Sequence, residues 1–175
     1  MSDSPCDLRQ PPPAISLRPE RREDEPFLFE VYASTREEEL NQTGWDLATR
    51  RAFLDLQFQA MRRGYRSMFP RGEFTIILLA GQPVGRQVMN RSETEIRLVD
   101  VALLPQHRGQ GVGTRLLQDL LAEASSTDKT VCLHVLKGSR SARLYERLGF
   151  RRVGADGIYD RMEWNMVASG SSPRL

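Results

Sequence analysis

The sequence predicts a mixed α/β (α+β) domain, a mixed sheet with helices packed on its faces. Three observations predict it. Strand-like apolar runs alternate with stretches of helical period, a Gly81-Gln82 turn separates two strand-like runs, and a glycine-rich turn at 108–113 links a strand to an amphipathic helix.

The elements follow in order. Ala14 to Leu17 reads as a short strand, and Phe27, Leu28, Val31 and Tyr32 recur at helical spacing. A second helix starts at Asp46, whose carboxylate is placed to cap it, and carries Leu47, Leu54, Phe58 and Met61 on one face. The segment from Arg36 to Trp45 is expected to be the loop between the two helices. Glu73 to Ala80 and Pro83 to Asn90 flank Gly81-Gln82, which has the composition of a tight hairpin turn. Glu95 to Leu104 is a third strand, ended by Pro105. The helix after the glycine turn buries Val112, Leu116, Leu117, Leu120, Leu121 and Ala124. Thr130 to Leu136 is a β-branched and apolar strand, Ser139 to Leu148 a short helix stopped by Gly149, and Phe150 to Val153 and Ile158 to Met166 are the last strands.

A chain of 175 residues is long enough for one hydrophobic core, and 39% apolar with 27% charged residues is an ordinary globular balance. The domain is expected over 14–167, between a polar, proline-rich arm at 1–13 and a serine-rich tail at 168–175. A formal charge of +2, with arginines scattered among glutamates, argues against a nucleic-acid surface. Apolar runs fall far short of the roughly 20 residues that span a bilayer. With Asp3, Asp7 and three prolines near its start, the chain lacks the pattern of a secretion signal, so a cytoplasmic location is expected. Cys6 and Cys132 do not make a disulfide framework, and Cys132 is expected in the core. His107 is expected to be exposed and His134 to be a hydrogen-bonded core residue. Neither is spaced with other ligands as a metal set, so no metal is expected.

The turn Arg108-Gly109-Gln110-Gly111-Val112-Gly113 between a strand and a helix gathers unpaired backbone N–H groups around one point. Glycines at alternate positions remove the Cβ atoms that would block an approaching phosphate, and the helix dipole adds about half a positive charge there. A P-loop would need lysine where the chain has Thr114, and a dinucleotide fingerprint would need another glycine there. From the glycines alone, a plain strand-to-helix turn stays equally open.

The run resembles the signature R/Q-x-x-G-x-G/A of the GNAT family of N-acetyltransferases. Downstream, Ala142-Arg143-Leu144-Tyr145-Glu146-Arg147-Leu148-Gly149-Phe150 is similar to that family's second hallmark, and the element order from Ala14 to Met166 is also the family's. The resemblance implies a mostly antiparallel central sheet flanked by helices, and acetyl-CoA as co-substrate. It implies that the amides of Arg108, Gly109, Gln110, Gly111, Val112, Gly113 and Thr114 hold the CoA pyrophosphate. The pantetheine arm is expected between two splayed strands, along Val101, Ala102 and Leu103 on one side and near Ser139, Ala142 and Tyr145 on the other. The family commonly has asparagine in the region of Ser139. Tyr145 is implied as the proton donor to the departing thiolate, with a core aromatic as its plain alternative.

An alkylammonium of pKa about 10 must lose a proton before attack, so a base is required. Glu95 stands as far before Arg108 as the general-base glutamate of the family's histone-acetylating members, and Asp100 competes with it. As a carboxylate between Val99 and Val101, Asp100 needs either a partner or a function. The acceptor site is expected near the first two helices, where Glu37, Glu38, Glu39 and Trp45 would suit a cationic amine, although a glutamate run is more often a solvated helix end. The expected activity is acetyl transfer to the primary amine of a small molecule. A non-catalytic acyl-CoA-binding module and a protein N-terminal or lysine acetyltransferase are the alternatives. A homodimer through the last strands, where Tyr159, Met162 and Trp164 lie, is a further expectation.

Overall fold

The computed structural model describes residues 13–166; the arm at 1–12 and the tail from 167 onward lie outside the described residues. The elements are β1 (Ile15–Pro19), α1 (Glu25–Ser34), α2 (Glu37–Asn41), α3 (Leu47–Met68), β2 (Glu73–Leu79), β3 (Gln82–Arg91), β4 (Glu95–Leu103), α4 (Val112–Ser126), β5 (Thr130–Leu136), α5 (Arg140–Arg147), β6 (Arg151–Asp156) and β7 (Tyr159–Trp164). The strands form one sheet in the order β1-β2-β3-β4-β5-β7-β6. Every neighbouring pair is antiparallel except β4 and β5. That parallel pair needs a crossover, which α4 supplies.

Two apolar layers cover the sheet. Ile76 and its neighbour Ile77 point to opposite faces, as successive strand residues must. Ile76 packs with Leu28 and Tyr32 of α1 and Phe58 of α3. Ile77 packs with Val112 and Leu116 of α4. The larger cluster on the α4 side joins Leu117, Leu120 and Ala124 to Ile96, Leu98, Val131, Leu133 and Val135, and takes in Ala142, Tyr145 and Phe150 from the α5 region. Burying a leucine of this kind stabilises by about 1.5–3 kcal/mol.

Local chemistry sets the boundaries. Asp46 accepts the Thr49 N–H at 2.8 Å and caps α3 as the sequence predicts, and the Ser139 hydroxyl accepts the Ala142 N–H at 3.1 Å and caps α5. At the end of α5, Gly149 takes φ +91° and the Phe150 N–H bonds the Tyr145 carbonyl at 3.0 Å, a glycine-terminated stop that also pins Tyr145.

Three expectations are corrected. The segment expected as a loop from Arg36 to Trp45 folds its first part into the short helix α2, because Leu40 finds a buried place. The hairpin turn is Ala80-Gly81, one residue earlier than expected, both residues with positive φ (50° and 80°). That is the primed geometry matching strand twist. β1 runs Ile15–Pro19 and so includes Pro19, which is tolerated because β1 is an edge strand.

Gly85 of β3 faces Leu103 of β4, and a Cβ there would run into the Ala102 carbonyl oxygen, with the Leu103 Cα at 3.1 Å. The end of β4 is thus held against β3 at a separation that only glycine permits.

Candidate active site

The sheet opens in its middle. β4 and β5 pair only from Glu95↔Thr130 to Leu98↔Leu133. Beyond that point β4 continues against β3 as far as Leu103, and β5 continues against β7 as far as Leu136. The facing edges Val99–Leu103 and His134–Leu136 therefore have no strand partner in each other. A bulge sits at the parting: Val88 opposes Asp100 and Met89 opposes Leu98, which leaves Val99 as the extra residue. Bulges re-aim strands and side chains in this way. The unpaired edge offers backbone donors and acceptors to an extended ligand.

Beside this opening lies the glycine turn. Gly109 and Gly111 have φ +74° and +83°, and Gly111 is the N-cap of α4. The first helical bond runs from the Arg115 N–H to the Gly111 carbonyl, so the amides of Val112, Gly113 and Thr114 have no acceptor within the helix. A Cβ at Gly111 or Gly113 would meet nothing within 4 Å, so open space lies over both. The Arg140 guanidinium reaches across from α5, 3.6 Å from where a Gly109 Cβ would stand. Unpaired amides, a helix N-terminus and a guanidinium are groups of the kind that suit a polyanion. The Arg108 side chain turns away: its Nε donates to the Leu103 carbonyl at 2.8 Å and its Nη2 to the Ser34 hydroxyl at 2.9 Å, bracing the turn against α1. Gln110 donates to the Gln106 carbonyl at 2.6 Å.

Of the candidate bases, Asp100 stands at the parting of the strands. Its Oδ2 is buried 2.8 Å from the Arg86 Nε of β3, while a fifth of its side chain stays accessible. The contact is an ion pair angled off the hydrogen-bond line, and neither buried atom has another partner. Burial pushes the Asp100 carboxyl above the usual carboxylate range, against the opposing pull of Arg86. Glu95 lies at the closed end of the β4–β5 pair, roughly 15 Å back along the strand. It accepts from Arg97 Nη2 at 2.9 Å and Nε at 3.1 Å, and Cys132 is its hydrogen-bonding neighbour on β5. Cys132 is buried as expected, and its thiol is pushed up to about 12, first by burial and then by Glu95.

Tyr145 is 7% exposed in the α4-side core, its ring 5.4 Å from that of Phe150. Burial first, and the negative charge of Asp100 second, push its phenol up to about 12. Tyr145 and Asp100 thus sense each other although they belong to opposite sides of the sheet. Val101 and Leu103 turn their side chains into the α4-side core and leave only backbone for the opening. His134 is exposed, contrary to the core role expected of it, because the burial of its face of β5 ends at Cys132. His107 is half-buried instead of exposed. Of Tyr159, Met162 and Trp164, Met162 is core and Tyr159 is exposed.

The sequence reading missed Arg86, Arg36, Tyr32, Tyr65 and Arg140. Arg86 and Arg36 place their guanidiniums 5.8 and 5.7 Å from the ring centre of the buried Tyr32. The Tyr65 phenol is pushed up to about 12 by burial first and Asp100 second, with Arg86 opposing and with Tyr159 and Arg36 within electrostatic reach. Glu37, Glu38 and Glu39 are all exposed, as a solvated helix end would have them. Glu37 borders a groove of about 810 Å³ between the first three helices that includes none of Asp100, Arg86 or Tyr145. Among the described residues no three His, Cys, Asp or Glu side chains stand together as a metal site. No helix among them is long and apolar enough to cross a membrane.

The model of the acetyltransferase (GNAT) domain matches residues 70–152, from the start of the central hairpin through the glycine turn to the Tyr145 helix. Solved structures align over most of the chain. A PaiA N-acetyltransferase from Thermoplasma acidophilum in complex with coenzyme A superposes with a TM-score of 0.63 at 17% identity, covering 87% of this chain and 99% of that one. An acetyltransferase from Thermus thermophilus gives 0.61 at 20% identity, over 87% and 97%. A GNAT family acetyltransferase from Elizabethkingia anophelis with acetyl-CoA bound gives 0.54 at 15% identity, over 87% and 98%. Residues 70–152 thus match the GNAT acetyltransferase domain, and the chain, with its seven-stranded sheet, has the fold of the GNAT acetyltransferases it aligns with.

Proposed function

We propose that the protein is an N-acetyltransferase that moves an acetyl group from acetyl-CoA to the primary amine of a small molecule by direct attack in a ternary complex. The observation that carries this reading is the parting of β4 and β5, with the glycine turn at one end and Asp100 and Tyr145 within electrostatic reach of each other. The donor supplies the acetyl thioester. The free amides of Val112, Gly113 and Thr114, with Arg140 beside them, suit its diphosphate, and the unpaired edge of β4 suits the amide groups of its pantetheine arm.

The residues then have distinct tasks. Asp100 takes the proton that the amine must lose, and its burial-raised proton affinity makes it a stronger base than an exposed aspartate. The amine nitrogen bonds to the thioester carbonyl carbon as the C–S bond breaks, and the electron pair of that bond leaves on sulfur. Tyr145, with a phenol near 12, holds its proton and donates a hydrogen bond to the thiolate. A thiol of pKa about 8.5 leaves without taking that proton fully. Glu95, bonded to Arg97 at the closed end of the strands, is the second candidate base.

Tyr145→Phe tests the leaving-group assignment. Turnover in a thiol-release assay is expected to fall about tenfold, the size of one lost hydrogen bond to a charged group, with acetyl-CoA affinity unchanged. Unchanged turnover would remove Tyr145 from the mechanism. Gly111→Val tests the glycine turn as an anion site. A β-branched residue at φ +83° is strained, and its side chain projects into the open space over the amides. The strain lowers stability by about 1–2 kcal/mol, and the side chain standing over the amides is expected to cost at least about tenfold in acetyl-CoA affinity, the scale of one hydrogen bond to a charged group. Calorimetric titration reads it directly.

A further inference from the structure

We infer that the acceptor is an amine that also carries an anionic group, a carboxylate in the first instance, with its ammonium at Asp100 and its anion at Arg36. This rests on the acetyltransferase reading and narrows its substrate class.

The charge arrangement around Asp100 is the reason. An acceptor approaching the parting of β4 and β5 from the α1 side meets Asp100 from β4, Arg86 from β3, Tyr32 from α1, Arg36 from the start of α2 and Tyr65 from α3. Tyr159 of β7 and Tyr145 of α5 complete the electrostatic surroundings. Asp100 is the only carboxylate on this roster, and its charge is already opposed by Arg86, 2.8 Å away and 6% exposed. Arg86 is itself under-satisfied: its Nε has no aligned acceptor, and its Nη2 donates to the weak acceptor sulfur of Met61 at 3.3 Å. A second guanidinium, Arg36, is balanced by the mostly exposed Glu39, so the floor offers an exchangeable cation for an anion beside Asp100 for an ammonium.

Arg36 is held for such a task. Its guanidinium stacks toward Tyr32 at 5.7 Å, while its carboxylate partner, Glu39, 3.2 Å away, has a side chain 69% exposed. Surface pairs of this kind contribute about 0–1 kcal/mol, so the contact is readily exchanged for a better-placed anion. Arginine also suits a carboxylate through its planar fork of donors. A polyamine would bring two or more positive charges against Arg86 and Arg36 with one half-neutralised carboxylate to meet them. A zwitterion satisfies both signs.

Thiol release from acetyl-CoA is measured for the L-amino acids, for the amide and the decarboxylated amine of each, and for spermidine. The expected result is a preference of at least about tenfold in kcat/KM for the best free acid over its amide, the scale of one charge-assisted hydrogen bond. Arg36→Gln is expected to erase that preference and Arg36→Lys to keep part of it, both retaining the rise in melting temperature given by acetyl-CoA. Faster turnover of amides or spermidine, or an acid preference that survives Arg36→Gln, overturns the inference and leaves the acetyltransferase reading standing. Absence of thiol release with every amine fails that reading itself, and this inference with it.

Discussion

Asp100→Asn is expected to lower kcat for amine acetylation by about 10²–10⁴-fold, the usual contribution of a positioned general base, with acetyl-CoA affinity little changed. Asparagine keeps the shape of the side chain and an acceptor for Arg86, so the loss isolates basicity. The pH profile is the more specific readout. Asp100 works as a base only when ionised, and burial raises its pKa, so wild-type activity is expected to fall with decreasing pH at values above the usual aspartate range. Arg86 opposes that rise. Its replacement by glutamine is therefore expected to move the acidic limb to still higher pH, and Asp100→Asn to remove the limb altogether. Glu95→Gln should leave the limb in place, because Glu95 stands at the closed end of the strands. A limb that vanishes with Glu95 and persists without Asp100 would reverse the assignment.

Gly85→Ala is expected to destabilise the protein by roughly 3 kcal/mol or more, in the class of substitutions that overpack a core. The added methyl group has nowhere to go. It meets the Ala102 carbonyl and the Leu103 Cα on the neighbouring strand, backbone atoms that cannot turn aside as a flexible side chain would. Relief requires β3 and β4 to separate just where the Leu104 N–H bonds the Val84 carbonyl at 2.9 Å. For a chain of this size the midpoint of thermal unfolding should fall by about 6–12 °C. Gly154→Ala is the control, since its nearest neighbour is the Arg161 side chain at 3.7 Å, and a shift of comparable size there would refute the packing explanation.

Those two glycines also show what a sequence hides. Gly85 and Gly154 look alike in their strands, and only the distance to the next strand separates them. Gly111 is half legible: alternating glycines between a strand and a helix fit the left-handed backbone found there, φ +83°, but from the glycines alone an anion site and a plain turn stand level. The helix α4 is legible, since its buried residues follow the predicted face closely. Asp100 was half legible: a carboxylate in an apolar strand demanded a partner, but the partner is set by the register of β3 on β4, which a bulge shifts by one residue. Arg86 carried the matching signal, a charge in a central strand between Val84 and Val88, and pairing the two anomalies would have found the ion pair. Arg36, Tyr65 and Arg140 gave no such signal, since each sits on a helix where an exposed polar residue is ordinary. His134 is misjudged for the opposite reason: β5 is buried on both faces as far as Leu133 but on one face only beyond it, and alternation places His134 on the open one.

The most direct test is a calorimetric titration of the protein with acetyl-CoA, paired with its melting temperature at saturation. Binding is expected with a single site. At a hundredfold excess over Kd the coenzyme should add about 2.7 kcal/mol of stability, a rise of roughly 5–11 °C, that Gly111→Val diminishes. No heat and no rise in melting temperature, from a protein that unfolds cooperatively, would contradict the assignment of the glycine turn and of everything built on it.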